Sequence, residues 1–320
     1  MTNKLIVMVG IPGVGKTTYI GDHITQNAQL FNSDAYRSNI LGDINDQTNN
    51  VQVFDNLHHD MKEFLTKNDD VVAIFDAQNI KRKRRRGVYE MYKKLAHVHI
   101  VYVYQPLATV LKQNTQRDRQ VPEDIIKRNY LAQQPPKIGV DCDDFEVIAD
   151  DDLFGDVDIQ DVHNLADLKP VRDDLWQEFA LNYTPHNSSY HKESVDEHIA
   201  LTIENADKNL HSQRFHEIAA FHDLGKGLAK RPANDNIHSR FDGHENIASI
   251  YALVYDTIHH IPAFEDYTTA EIVFNHMRAH RGFSRKTIRN EKLSMDLLLD
   301  AQAFKNIDSQ SRKWIHNETV

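Results

Sequence analysis

The sequence predicts an α/β domain built on a parallel sheet, followed by an all-α domain. Three observations carry that expectation. Short apolar runs alternate with amphipathic stretches up to about residue 150, a glycine-rich phosphate loop joins the first apolar run to the first amphipathic one, and past an acidic stretch the hydrophobic period becomes helical. A chain of 320 residues suits two cores. We therefore divide it into 1–150, an acidic connector over 151–182, and 183–320.

In the first part, residues 5–9, 29–32, 71–75, 98–104 and 145–148 read as buried strands, and the amphipathic stretches between them call for parallel pairing through helical crossovers. Ten acidic residues and no lysine or arginine lie between Asp141 and Asp161, the composition of a solvated connector. Beyond it, 195–206, 214–223 and 245–255 carry apolar residues three and four apart, the spacing of amphipathic helices.

Composition narrows the function. With 40% apolar and 26% charged residues and no run near the roughly 18 apolar residues of a membrane span, a membrane partner is not expected. The first apolar run is cut by Gly10, so it reads as a strand and not a signal peptide. Cys142 is the one cysteine and can form neither an intramolecular disulfide nor a cysteine metal site, which suits the cytoplasm. A net charge of -10 argues against coating nucleic acid through the whole-surface field. The six consecutive cations at 81–86 are a local patch, read either as a solvated helix face or as direct phosphate contacts.

Gly10-Ile11-Pro12-Gly13-Val14-Gly15-Lys16-Thr17 fits GxxxxGK[ST] and sits between a strand and a helix, as a P-loop requires. Gly10, Gly13, Val14, Gly15, Lys16, Thr17 and Thr18 are thus the expected ATP contacts. Lys16 would reach the β and γ phosphates and Thr17 would hold Mg²⁺. Downstream, Asp34 precedes Arg37 by three residues, which suits a general base beside a phosphate-holding guanidinium, or equally a helix N-cap at Asp34. Asp76 ends an apolar run and suits either magnesium positioning or capping.

The P-loop, Ser33-Asp34-Ala35-Tyr36-Arg37 and Asp76-Ala77-Gln78-Asn79 together resemble the kinase domain of phage-type 5′ polynucleotide kinases over roughly residues 4–150, with Gln78 where a threonine is more usual. The resemblance implies that Asp34 is the base toward a 5′ hydroxyl and that Arg37 contacts the acceptor nucleic acid. It also implies a helical lid over 114–122, whose Arg117 and Arg119 reach the nucleotide phosphates. From the residues alone these two arginines fit an exposed helix face as well.

In the second half the histidines crowd between His186 and His280. His198 and His222-Asp223 fall on the apolar faces of predicted helices, and two imidazoles with a carboxylate are good ligands for a divalent transition metal. His198, Phe221-His222-Asp223-Leu224-Gly225-Lys226 and a distant Asp300 resemble the HD superfamily of metal-dependent phosphohydrolases over roughly residues 183–305. The resemblance implies metal ligands at His198, His222, Asp223 and Asp300, with Phe304 as the alternative occupant of the last position, and added ligands at His244 and His276. Lys226 and Arg278 would hold substrate phosphate, and His191 would lie near the leaving group. The His259-His260 pair fits helix capping better than ligation.

The fold class implied is an α/β P-loop NTPase domain with a parallel sheet followed by an all-α HD-type domain. The function implied resembles bacterial kinase/HD end-healing enzymes in reversed domain order. These join an ATP- and Mg²⁺-dependent 5′-hydroxyl polynucleotide kinase to a 3′-phosphatase or 2′,3′-cyclic phosphodiesterase using Mn²⁺, Ni²⁺, Co²⁺, Fe²⁺ or Zn²⁺. The partner is a nucleic-acid end, RNA over DNA. Two alternatives stay open: a small-molecule or nucleoside kinase fused to an HD nucleotidase, and a kinase with a non-catalytic HD docking domain.

Overall fold

Parallel pairing follows from the alternation of apolar and amphipathic segments. The structure, a computed structural model, describes residues 3–188, 191–263 and 267–313. Five strands, β1 (Lys4–Val9), β2 (Ala28–Asn32), β3 (Val72–Asp76), β4 (His97–Val103) and β5 (Asp144–Ile148), pair in parallel in the order β2-β3-β1-β4-β5. The first two crossovers are α1 (Lys16–His23) and then α2 (Ser33–Leu41) with α3 (Asn50–Lys67); α4 (Arg82–Tyr92) links β3 to β4. Because β1 lies at the centre, with β2 and β3 on one side and β4 and β5 on the other, the loop after β1 opens at the carboxyl edge where the strand order reverses. Leu5, Val7, Phe31, Phe75, Val98 and Ile100 are buried, and α3 covers the sheet with Val53, Leu57, Met61 and Leu65 at four-residue spacing.

Only part of the cationic run at 81–86 faces water. Arg82 and Arg85 are buried, and Arg85 reaches Asp141 Oδ2 with Nε and Nη2, each at 2.8 Å, while Nη1 donates to the Asn79 carbonyl at 3.0 Å. Breaking such a buried pair costs about 3–5 kcal/mol. The patch expected to be uniformly solvent- or phosphate-facing is therefore half structural, and its exposed members are Lys81, Lys83 and Arg84. Asp143, also from the acidic stretch, accepts from Tyr89 Oη at 2.9 Å and Val98 N at 2.8 Å.

Contacts divide the chain into two compact units, Met1–Gln105 with Val110–Pro122 and Pro136–Ile148, and Pro106–Thr109 with Glu123–Pro135 and Ala149–Val320. The chain thus crosses between units more than once. The helix α5 (Leu107–Thr115) begins in the second unit, and α6 (Glu123–Tyr130) belongs to it. The second unit continues with α7 (Asp173–Phe179), α8 (Val195–Leu210), α9 (Gln213–Phe221) and α10 (Lys226–Ala229). It then carries α11 (His244–Ile258), α12 (Thr269–Arg281), α13 (Arg285–Asn290) and α14 (Met295–Gln310), with a two-residue hairpin of β6 (Arg231–Pro232) and β7 (Ser239–Arg240). Among the described residues no helix is long and apolar enough to cross a membrane.

The solvated connector expected over 151–182 is instead folded into this unit. Leu153, Phe154, Ile159, Leu165, Leu168 and Phe179 are buried. Its carboxylates cap and pair: Asp158 accepts from Gln160 N at 2.9 Å, Asp167 closes a capping box with Asn164, and Arg172 bonds Asp150, Asp152 and Asp174. An acidic composition here reflects short helical turns that need acceptors at their starts.

Glu178 on α7 is buried and gathers Leu107 N at 2.6 Å, Tyr130 Oη at 2.9 Å and Tyr251 Oη at 2.5 Å. Burial raises its carboxyl to about 7 against the pull of these donors. A folded-state value above the unfolded one means stability fully present below about 4.5 and lost as pH rises through about 7. Glu178→Gln should remove that component: melting at pH 5.0 and pH 7.5 should show a smaller drop in Tm for the variant than for the wild type, and equal drops would disprove it.

Candidate functional sites

Gly10 ends β1 at φ 149, and a Cβ there would meet Val14 Cγ1 at 2.7 Å and the Val103 carbonyl at 2.9 Å, so only glycine passes. Its N–H donates to the Gln78 carbonyl at 3.0 Å, fastening the loop to the end of β3. Gly15 caps α1 without a side chain, which leaves the first N–H groups of that helix to an anion. Lys16 Nζ folds over the loop onto the carbonyls of Gly10 at 2.8 Å and Ile11 at 3.2 Å. Burial lowers its pKa to about 8, opposed by the Asp76 carboxylate. Thr17 and Thr18 are exposed on the first turn.

The β1–β3 and β2–β3 registers set Met8 and Asn32 beside Asp76, and Asn32 Nδ2 donates to Asp76 Oδ2 at 2.6 Å. Burial raises the Asp76 carboxyl above its ordinary value, with Lys16 opposing. Asn32 also caps α2, its Oδ1 accepting from Ala35 N at 2.8 Å. The capping role left open for Asp34 therefore belongs to Asn32. Asp34 instead accepts from Arg37 Nη1 at 2.5 Å and Arg119 Nη1 at 2.9 Å, and its charge reaches Lys16. Arg37 is buried; Nη2 donates to Asn50 Oδ1 at 3.1 Å, and Nε has no hydrogen-bond partner among the described residues.

Arg117 and Arg119 lie on a loop, not on the helical lid expected. The helix α5 ends at Thr115, and Asn114 clamps the loop by donating to the Val121 carbonyl and accepting from Val121 N, both at 2.9 Å. A side-chain clamp that replaces backbone ladder bonds leaves the intervening residues outside the helix. Arg119 Nε donates to Asn45 Oδ1 at 2.9 Å, and the positive charge of Arg117 helps to lower the Lys16 pKa.

In the second unit, Glu197 accepts from Ser194 N at 3.2 Å and starts α8 so that His198 lies on its buried side. The turn after α9 holds His222 and Asp223. Asn182, from the segment expected to be a connector, anchors that turn through Nδ2 to the Leu224 carbonyl at 2.8 Å and Oδ1 from Gly227 N at 2.8 Å. Gly225 lets α11 approach: a Cβ there would meet the His244 carbonyl at 2.4 Å.

His222 Nδ1 donates to the Ala219 carbonyl at 2.8 Å, His244 Nδ1 to Phe241 at 2.7 Å and His276 Nδ1 to Val273 at 2.6 Å. A carbonyl only accepts, so each Nδ1 carries a proton and each Nε2 is the ring nitrogen left to face the interior. Those three Nε2 atoms converge on one carboxylate, Asp223, with Nε2–Oδ distances of 3.2, 3.3 and 3.8 Å for His222, His244 and His276. Backbone carbonyls fixing the outer nitrogens, with the inner ones gathered around a carboxylate, is the arrangement metal-ligating histidines use. Burial and the neighbouring His244 and His222 hold His276 well below the usual imidazole value, hence neutral and able to ligate. Among the described residues, His198–His222–Asp223, Asp223–His244–His276 and His186–His191–Glu193 each bring ligand atoms within 4.8 Å of one another.

Asp300 stands apart from all three groups. It contacts Tyr267 and Arg214, while Phe304 packs its ring 5.2 Å from His222. The buried stripe of α14 runs through Leu297, Ala301, Phe304 and Asp308, and Asp300 falls at its edge. The carboxylate from α14 that enters the site is Asp308, which lies 3.0 Å from His198 Nε2 and 2.6 Å from His280 Nε2. The sequence reading missed Asp308, His186 and Glu193; only a stripe drawn through Phe304 would have picked out Asp308. His191 Nδ1 lies 2.5 Å from Glu193 Oε1, and Lys226 Nζ lies 2.6 Å from Asp223 Oδ2 and 3.1 Å from His186 Nε2. Arg278 donates to Asn275 Oδ1 at 2.8 Å, and His259 stacks on Tyr255, clear of the three groups.

Residues 5–136 match the family model described as an AAA domain, AAA_33. The fructose-2,6-bisphosphatase of Saccharomyces cerevisiae (strain ATCC 204508 / S288c) is 31% identical over 108 residues, 28% of this chain and 24% of that protein, so the match spans about a quarter of its length. Among solved structures, a Pnkp1/Rnl/Hen1 complex aligns at TM-score 0.32 and 18% identity over 38% of this chain and 40% of that one. A gluconokinase from Sinorhizobium meliloti 1021 aligns at TM-score 0.33 and 14% identity over 46% of this chain and 83% of that one. Likenesses this low carry no weight beyond the sheet and loop already described. With the family match, that sheet and loop make the N-terminal part a P-loop kinase-like domain, and ATP with Mg²⁺ is what such a domain takes.

Proposed function

We propose that the chain is a bifunctional nucleic-acid end-healing enzyme of the cytoplasm, an ATP-dependent 5′-hydroxyl polynucleotide kinase joined to a metal-dependent 3′-phosphatase or 2′,3′-cyclic phosphodiesterase, with RNA ends as the favoured substrate. One observation carries the kinase reading: Asp34 lies within electrostatic reach of Lys16 and is gripped by Arg37, a buried guanidinium whose Nε is unpartnered among the described residues. A base flanked by a buried cation suits an acceptor that brings its own phosphate, which a simple sugar lacks. The 5′ oxygen attacks the γ phosphorus, its proton passes to Asp34, and the bond to the leaving ADP breaks. Arg117 and Arg119 neutralise charge on the transferring group, and ATP draws Arg119 away from Asp34 onto its phosphates.

For the second activity, His198, His222 and Asp223 would hold one divalent ion, and Asp223, His244 and His276 a second. A transition-metal ion held there would acidify a water toward neutrality and draw charge off phosphoryl oxygens. Lys226, poised against Asp223, binds a substrate phosphate oxygen, and His191 lies near the leaving group. The convergence of three Nε2 atoms on Asp223 supports this reading, and Asp308, 3.0 Å from His198 Nε2, stands where the ligand Asp300 was expected.

The test supplies purified protein with γ-labelled ATP, Mg²⁺ and, in parallel, a 5′-hydroxyl oligoribonucleotide, a nucleoside and a sugar acid. Label on the oligonucleotide is expected. Label on the nucleoside or sugar acid alone would replace the reading with a small-molecule kinase.

A further inference from the structure

A cleft of about 340 Å³ opens beside the kinase-like site, lined by Asn50, Phe54, Phe75, Arg84, Gly87 and Met91 among others. Its walls are α3 and α4, the helices that follow β2 and β3, so it lies on the Asp34 side of the sheet and not on the side of β4 and β5. It is continuous with the proposed acceptor machinery. Asn50 Oδ1 receives the Arg37 guanidinium that also holds Asp34, and Phe75 immediately precedes Asp76.

Aromatic and apolar side chains share the lining with Asn50, Asp55, His58 and Asn79, and its one guanidinium, Arg84, lies over the Phe54 ring, 5.7 Å from its centroid. A floor of Phe54 and Phe75 under a flat cation fits a planar, uncharged ring system presenting acceptors at its edge. Gly87 adds a second observation. A glycine inside a helix costs about 1 kcal/mol relative to alanine, yet α4 carries one at the cleft wall with no atom within 4 Å of where its Cβ would be. The missing side chain keeps the cleft wide.

We propose that this cleft seats the nucleobase of the 5′-terminal nucleotide of the acceptor, placing its 5′ hydroxyl toward Asp34, and that Phe54, Arg84 and Gly87 determine acceptor specificity. The proposal rests on the kinase reading above. Base stacking on an aromatic wall is worth about 1–3 kcal/mol, which corresponds to about 5- to 150-fold in binding.

The experiment fills the cleft without threatening the helix. Gly87→Leu and a Gly87→Ala control are compared with wild type on an ordinary 5′-hydroxyl oligoribonucleotide and on one whose 5′-terminal ribose lacks its base. Helix propensity favours both substitutions, so their Tm should be at or above that of wild type. The wild type should show a KM about 5- to 150-fold higher for the abasic end. Gly87→Leu should raise KM for the ordinary end by a similar factor and leave KM for the abasic end and for ATP unchanged.

Wild type that labels both ends with equal KM, or Gly87→Leu that matches wild type on the ordinary end, overturns the cleft while leaving the kinase reading intact. A rise in the ATP KM alone overturns it by giving the cleft to the donor base. Wild type that labels neither end removes the kinase reading, and the cleft proposal with it.

Discussion

Asp34→Asn should lower kcat for phosphoryl transfer by about 10²- to 10⁴-fold, the usual contribution of a positioned general base, with the KM for ATP nearly unchanged. The substitution keeps the size of the side chain and the Asn32 cap of α2, so the fold is preserved. What it removes is the proposed acceptor for the 5′ hydroxyl proton and the anion between Arg37 and Arg119. Losing that anion should also loosen Arg119, which then has Asn45 as its remaining hydrogen-bond acceptor named above. Single-turnover rates at saturating ATP measure the effect. A rate within a few-fold of wild type would move the base to Asp76.

Asp223→Asn is expected to have the largest effect in the second unit. Asp223 is shared by the His198–His222 and His244–His276 groups, so one substitution weakens both candidate metal positions. Burial opposes its charge, yet His222 and Lys226 hold the carboxyl well below the usual range, so at neutral pH it is an anion facing three imidazoles and Lys226. Metal content by mass spectrometry should drop, and hydrolysis of a 3′ phosphate or cyclic phosphate should fall by more than the roughly 10- to 100-fold lost with an outer partner of a metal ligand. The neutral side chain also leaves Lys226 uncompensated, so Tm should fall, because removing one partner of a buried pair costs about 3–5 kcal/mol. Unchanged metal content and unchanged hydrolysis would refute the role given to Asp223.

Much of the first unit was legible because its strands are short β-branched runs and its phosphate loop is a local motif whose neighbours in sequence are its neighbours in space. Glycine at 10 and lysine at 16 need no distant partner to be recognised. The partners of Arg85 were hidden: a charged run reads as solvated until a carboxylate far along the chain, Asp141, is seen to enter the core with it. The connector over 151–182 was misread because its buried leucines and phenylalanines are spaced by capping acids, which imitate solvated composition. The helical lid over 114–122 was implied by the resemblance alone; the Asn114 clamp that replaces it acts through a side chain and leaves no local signal.

In the histidine centre, His198, His222 and Asp223 are legible from apolar helical faces and the His-Asp pair, whereas His244 and His276 came only from the resemblance. Asp300 was weighed against Phe304, and residue type gives no ground for preferring it to Asp308, an aspartate on the same helix. The angular position of each against Phe304 decides it, and that requires knowing which stripe of α14 is buried.

The central claim is that two separate sites on one chain repair the two ends of a broken strand. The direct measurement is one assay on a single RNA bearing a 5′ hydroxyl and a 2′,3′-cyclic phosphate, given ATP, Mg²⁺ and Mn²⁺, with both termini analysed after incubation with wild type, Asp34→Asn and Asp223→Asn. Wild type should convert both termini, Asp34→Asn only the 3′ terminus and Asp223→Asn only the 5′ terminus. Conversion of neither end by wild type, or loss of both by either single variant in a folded protein, would contradict it.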